Sequence, residues 1–131
     1  MSTDMTGKAT SVLLVDDEQD IRDLARLFLE MDGLSVDEAF DGASALERFA
    51  ELNPPPQPSV VVLDNRMPGL SGVEVAERML SIYPDQLIVL FSAFLDRDTE
   101  AAATAAGVTA CVSKTDLKRL PGIIRDLMPA A

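Results

Sequence analysis

Five polar side chains each stand at the end of a short apolar run. Asp16 and Asp17 follow "SVLLV" (Ser11–Val15), Asp64 follows "SVVVL" (Ser59–Leu63), and Ser92 follows "QLIVLF" (Gln86–Phe91). Lys114 comes two residues after "VTACV" (Val108–Val112). Adjacent carboxylates repel: two like charges about 4 Å apart cost ~1 kcal/mol in bulk water and ~4 kcal/mol at an effective dielectric near 20. Either both carboxylates of the pair face solvent, or something positive belongs between them. Three carboxylates without a nitrogen or sulfur ligand suit a hard, oxygen-seeking cation such as Mg²⁺. The chain contains no histidine at all, so neither the usual general base nor the usual transition-metal ligand is available. A metal-neutralised carboxylate beside a lysine is a good place for a phosphoryl group, whose transfer rests on positioning and charge neutralisation. In that chemistry Asp64 is the nucleophile and the product is an acyl phosphate.

These residues meet only if the fold brings four strand ends together. The apolar runs are aliphatic and continuous rather than alternating, as parallel strands covered on both faces should be. A weaker run, "LSVDEAF" (Leu34–Phe40), reads as a strand nearer the sheet edge. Helical spacing separates the strands. Ile21, Leu24, Ala25, Phe28 and Met31 form one stripe, stopped by Gly33. Asp41 caps a second helix carrying Ala45, Leu46 and Phe49, which "NPPPQP" (Asn53–Pro58) ends. Val73, Ala76 and Leu80 mark a third, closed before Pro84. The alanine-rich "DTEAAATAAG" (Asp98–Gly107) is a fourth, packed closely on the sheet. A fifth begins near Pro121 and presents Ile123, Ile124 and Leu127. Five βα units imply a doubly wound α/β fold with a parallel sheet. In such sheets ligands bind beyond the carboxyl ends of the strands, where the strand order reverses. With order 2-1-3-4-5, Asp16, Asp17 and Asp64 flank that point, with Ser92 and Lys114 beside them.

With 131 residues and a hydrophobic fraction of 47%, the chain can build one domain around a single core. The expected organisation is an N-terminal extension over residues 1–10 without order and a single domain over 11–131, with no room for an output domain. The net charge of −11 disfavours direct contact with nucleic acid or an anionic membrane. One cysteine, Cys111, excludes an internal disulfide. The start, "MSTDMTGKAT", lacks the apolar core of a signal peptide, and no run approaches the ~20 residues that span a bilayer. A cytoplasmic location is expected.

At "VDDE", "LDNRMPGLSG", "FSA" and "SK" the chain resembles the receiver domain of bacterial two-component response regulators, over nearly its whole length. The most specific piece is Asp64 followed by Met67, Pro68, Gly69 and Gly72. The resemblance implies a flavodoxin-like (βα)5 fold and a phosphorylation switch rather than an enzyme with an external substrate. Asp64 would take a phosphoryl group from a histidine kinase or a histidine phosphotransfer protein. Asp17 would bind Mg²⁺ directly and Asp16 through water, with Asp64 and the backbone carbonyl of Arg66 completing the set; Mn²⁺ could substitute. Lys114 would pair with the phosphoryl oxygens, and the Ser92 hydroxyl would bond one of them and draw in the loop after strand four. The small Ala93 leaves access. The phosphorylated state would change contacts with a downstream protein, the chain being a monomer or weak dimer.

Two positions depart from the family pattern. Thr115 follows Lys114 where proline is common, so a family-like cis bond there would cost ~3 kcal/mol. Cys111 stands three before Lys114 where an aromatic residue usually swings inward, and Phe94 is the candidate replacement for that moving group. Cys111 itself reads as a small hydrophobe, and the Glu18 and Arg66 side chains as solvent-facing. Taken singly, an acidic pair, a lone lysine or an "MPG" turn is ordinary surface; four strand ends agreeing in order and residue type are not. The alternatives are a degenerate receiver acting as a phosphorylation-independent interaction module and a receiver fragment of a larger regulator. A Mg²⁺-dependent aspartyl phosphatase would carry D-x-D at strand one. A flavin module of similar topology would need a Ser/Thr/Gly-rich loop where "DDEQD" stands.

Overall fold

A computed structural model describes residues 10–52 and 58–129. The expected extension, Thr10 apart, and all of the proline-rich stretch but Pro58 lie outside the described residues. Five strands, β1 (Ser11–Val15), β2 (Ser35–Ala39), β3 (Val60–Leu63), β4 (Leu87–Ser92) and β5 (Ala110–Ser113), alternate with helices. The helices are α1 (Gln19–Met31), α2 (Gly42–Leu52), α3 (Gly72–Ile82), α4 (Arg97–Ala106) and α5 (Leu120–Leu127), and a 3-10 helix (Lys114–Arg119) precedes the last. All neighbouring strands pair in parallel, in the expected order β2-β1-β3-β4-β5, with β2 at an edge. The chain has the flavodoxin-like architecture.

Alternation along the strands divides the core in two. Leu13, Val15, Val61, Leu63, Ile88 and Leu90 face Phe49 of α2, Val75 and Met79 of α3 and Ala103 of α4. Val12, Leu14, Val60, Val62, Val89 and Phe91 face Ala25 and Leu29 of α1 and Leu120 and Ile124 of α5. Both faces of each central strand are dry, which is why Val12–Val15, Val60–Leu63 and Leu87–Phe91 contain no polar residue. Each fully buried aliphatic side chain contributes about 1.5–3 kcal/mol through its removal from water.

Most helix boundaries follow the expected signals. Asp41 Oδ1 accepts from the Ser44 amide at 2.8 Å at the start of α2. α1 ends with Gly33 N–H bonded to the Glu30 carbonyl and Leu34 N–H to that of Leu29, both about one turn back. Gly107 closes α4 at φ 97°, a left-handed conformation that a Cβ would strain.

Two helix faces differ from the expected ones. In α1 the buried residues are Ala25 and Leu29, whereas Leu24 and Met31 are 43% and 73% exposed. At about 100° per residue the Leu24–Met31 line runs off to one side of the Ala25–Leu29 line, and Arg22 takes the inward place above it. The apolar stripe of α1 is therefore wider than its core face. In α4 only Ala103 is buried, and Ala101, Ala102 and Ala105 face solvent. The short edge strand β5 offers the helix a narrow strip, so the alanines do not pack on the sheet as a group.

Candidate functional site

The site grows out of the β1–β3 boundary. Beyond the last strand residues, the Asp16 amide bonds the Ala39 carbonyl at 3.3 Å and the Asp64 amide bonds the Val15 carbonyl at 2.8 Å. These bonds continue the sheet by one residue and fix both aspartates as part of it. Asp16 Oδ1 then accepts from the Glu18 amide at 2.9 Å, turning the chain toward α1. Arg22 closes the turn from behind: its Nη1 donates to the Asp16 carbonyl at 2.7 Å and its Nε to Glu38 Oε1 at 3.0 Å.

After β3 the chain is clamped against the start of α3. Gly72 N–H donates to the Asn65 carbonyl at 2.9 Å, and Val73 N–H to Asn65 Oδ1 at 3.2 Å. A Cβ at position 72 would stand 2.3 Å from the Asp64 carbonyl oxygen, so only glycine permits this approach. Ser71 and Glu74 cap the helix reciprocally through each other's backbone amides. That S-x-x-E spacing was available in the sequence as a start signal.

Carboxylate oxygens of Asp16, Asp17 and Asp64 all lie within 4.8 Å of one another. Asp16 is fully buried, Asp64 is 4% exposed, and Asp17 faces out. Lys114 Nζ sits 2.7 Å from Asp16 Oδ2, 3.3 Å from Asp64 Oδ1 and 3.7 Å from Glu18 Oε1. Asp16 Oδ2 is buried, and Lys114 is the cation that compensates it. Burial, followed by the charge of Asp16, pushes the Asp64 carboxyl up to about 7 against the opposing pull of Lys114. Burial works to lower Lys114, but the hydrogen bond to Asp16 and the charges of Asp64 and Asp16 outweigh it and raise its pKa. One ammonium among three carboxylates leaves the cluster short of positive charge, and an oxygen-only donor set of three aspartates fits a hard divalent cation.

Ser92 and Lys114 complete the ring. Ser92 is 1% exposed, and its hydroxyl accepts from the Phe94 amide and donates to the Phe94 carbonyl, both at 3.2 Å. A cavity of ≈120 Å³ opens above, with Asp64, Ser92 and Lys114 inside and Glu18, Arg66 and Phe94 around it. At ~30 Å³ per liquid water this is room for about four waters, enough for a phosphoryl group. The Arg66 guanidinium lies 4.3 Å from the centre of the Phe94 ring. Arg66 and Glu18 are both exposed, as expected, but both also border the cavity, Arg66 on an aromatic face and Glu18 near Lys114. Neither contact has a periodic signal in the sequence, and neither does the Arg22 bond to the Asp16 carbonyl. Cys111 is half-buried, and burial with the nearby Glu100 charge holds its thiol above the usual range. Among the described residues no helix is long and apolar enough to cross a membrane.

The sequence pattern of the response regulator receiver domain matches residues 12–125. The chain is 37% identical to the transcriptional regulatory protein PdtaR of Mycobacterium tuberculosis, over 96% of this chain and 60% of that protein. It is 30% identical to the Escherichia coli regulatory protein AtoC over 87% of this chain and 24% of that protein. The chain thus spans 60% of the length of the first of these relatives and 24% of the second. Among solved structures, Vibrio cholerae CheY4 superposes with a TM-score of 0.84 at 23% identity, covering 92% of this chain and all (100%) of the other. Thermotoga maritima TrrA, solved in complex with Mg²⁺ and BeF, gives 0.80 at 30% identity over 91% and 99%. This chain belongs to the response regulator receiver domain family.

Proposed function

We propose that the chain is a Mg²⁺-dependent phosphoacceptor of a two-component system, with Asp64 as the acceptor. The observation that carries the reading is the Lys114 ammonium held between Asp16 and Asp64, with Asp17 completing a three-carboxylate cluster. Asp16, Asp17, Asp64 and the Arg66 carbonyl would hold the cation, which when bound neutralises charge on the transferring group and on the carboxylates. The Mg²⁺ in the related TrrA structure supports this assignment. An Asp64 oxygen attacks the phosphorus of a phosphohistidine; the P–N bond breaks, an acyl phosphate forms, and the imidazole leaves with its electron pair. Attack requires the ionised Asp64. Lys114 meets the phosphoryl oxygens as it now meets the two aspartates.

Ser92 supplies the switch. Its hydroxyl hydrogen now serves the Phe94 carbonyl, and giving that hydrogen to a phosphoryl oxygen releases the Ser92–Phe94 turn. Phe94, 57% exposed beneath Arg66, moves with it and takes the part of the absent aromatic at Cys111. Complete conversion between two states, from 1:99 to 99:1, requires about 5.5 kcal/mol, within reach of several charge-assisted hydrogen bonds. The donor is a histidine kinase or phosphotransfer protein and the readout a downstream protein contact, without direct nucleic-acid binding. The chain acts in the cytoplasm as a monomer or weak dimer and catalyses only its own phosphorylation and dephosphorylation. Intact mass after incubation with Mg²⁺ and a small-molecule phosphodonor tests the reading. One added phosphoryl group, absent in Asp64→Asn and without metal, is expected. No addition to a folded, Mg²⁺-binding protein would instead make it a constitutive interaction module.

A further inference from the structure

We propose that the groove between the C-terminal half of α1 and the start of α5 docks an acidic, amphipathic helix of a partner protein. The groove has a volume of ≈410 Å³ and lies open along the surface between the two helices. Phe28, Met31 and Pro121 give it an apolar lining, while Lys118, Arg119 and Arg125 supply positive charge. Met31 is 73% exposed, and a flexible thioether adapts well to a partner's side chains. Three of the eleven basic residues fall within these eight positions, in a chain of net charge −11. Asp32, the one acidic residue lining the groove, is paired with Arg125 at 2.5 Å. Lys118 and Arg119 make no ion pair among the described residues and remain free to meet carboxylates.

Charge and size select the occupant. A long polyanion such as nucleic acid, or an anionic membrane, would meet the surrounding acidic surface. A short acidic segment feels mainly the local cations, because screening limits the interaction to about 8 Å at physiological ionic strength. A groove between two helices accepts a third by taking apolar side chains spaced three and four apart, with the carboxylates at its edge.

The test uses the full chain, metal-free, against a display library of helical peptides built from Asp, Glu, Leu, Phe and Ala. A matched Lys/Arg library and phosphatidylserine vesicles run in parallel. Two variants probe the halves of the proposal: Lys118→Glu with Arg119→Glu reverses the charge, and Gly122→Leu fills the groove. A Cβ at Gly122 meets nothing within 4 Å, so the backbone there has room to carry a side chain; circular dichroism and thermal melting check that both variants fold. Acidic peptides should be selected, and each variant should weaken them about tenfold or more, with binding falling as salt rises. Selection from the basic library alone, binding to vesicles alone, no selection at all, or peptides indifferent to both variants would overturn the proposal.

Discussion

Replacing Asp64 with asparagine should stabilise the metal-free protein, and by an amount set by pH. In the folded chain Asp64 titrates at about 7, against 3.8 for the unperturbed group, because burial and Asp16 disfavour its charge. Between those values the folded state holds a proton that the unfolded state has released. Stability attributable to this group therefore falls as pH rises through that window and is level above it. A window about three pH units wide, at ~1.36 kcal/mol for each, gives a ceiling of ~4 kcal/mol. Relaxation at the open rim, where Asp17 and Glu18 meet solvent, brings the expected figure to about 2 kcal/mol. The asparagine side chain keeps the shape of the protonated carboxyl and has no charge to bury. In urea unfolding with chelator present, wild type and Asp64→Asn should be nearly equal near pH 4, and the variant about 2 kcal/mol more stable near pH 8. Saturating Mg²⁺ should close the gap by binding the wild-type folded state more tightly. A variant less stable than wild type at the higher pH, or a difference independent of pH, would refute the account of Asp64 as a buried charge short of compensation.

Lys114→Met leaves Asp16 and Asp64 without their ammonium; breaking such a buried pair costs about 3 kcal/mol or more at neutral pH, measured by urea unfolding, and phosphorylation should be lost by intact mass. Arg22→Ala removes the donor to the Asp16 carbonyl and the partner of Glu38; a loss of about 2 kcal/mol is expected, with weaker Mg²⁺ binding by calorimetry because the Asp16–Asp17 turn loosens. Gly72→Ala drives a methyl into the Asp64 carbonyl and should cost about 1–3 kcal/mol in thermal unfolding, with slower phosphorylation of whatever folds.

The βα alternation was legible from local signals, and so was the convergence of Asp16, Asp17, Asp64, Ser92 and Lys114 once the strand order 2-1-3-4-5 was assumed; the order itself is a long-range pairing that no local signal dictates. Strands buried on both faces must be continuously apolar, and the residue that follows each must lie at the same edge of the sheet. Side-chain geometry at the rim was not legible. Arg66 reaches Phe94 across two loops, and Arg22 reaches back to Asp16 from the first turns of α1; neither contact repeats with a helical or strand period. The apolar stripe of α1 misled because Leu24 and Met31 satisfy a three-and-four spacing while lying beside the core face. Periodicity shows that a helix has an apolar side but not how much of that side the sheet covers. Met31, at the end of that uncovered stripe, lines the basic groove, so there a misfit between pattern and burial marked a surface rather than an error in the core.

If the proposed phosphoacceptor role holds, charge counting explains why the same cluster would need both a metal and a lysine. With all three aspartates ionised and Lys114 protonated, the site carries two negative charges, and burial holds Asp64 partly protonated at neutral pH. Phosphorylation would remove the charge of the Asp64 carboxylate, and the phosphoryl group would bring about −1.5 to −2. Without a cation the phosphorylated site would be more negative than the resting one, and a single ammonium could not offset it. A divalent ion brings the resting site near neutrality and holds the phosphorylated site close to one negative charge. That remainder lies where the Ser92 hydroxyl hydrogen now points elsewhere, toward the Phe94 carbonyl. In the proposed switch, the field that favours phosphorylation with metal present would also pull Ser92 from its resting bond, so acceptor chemistry and loop movement would draw on one electrostatic imbalance.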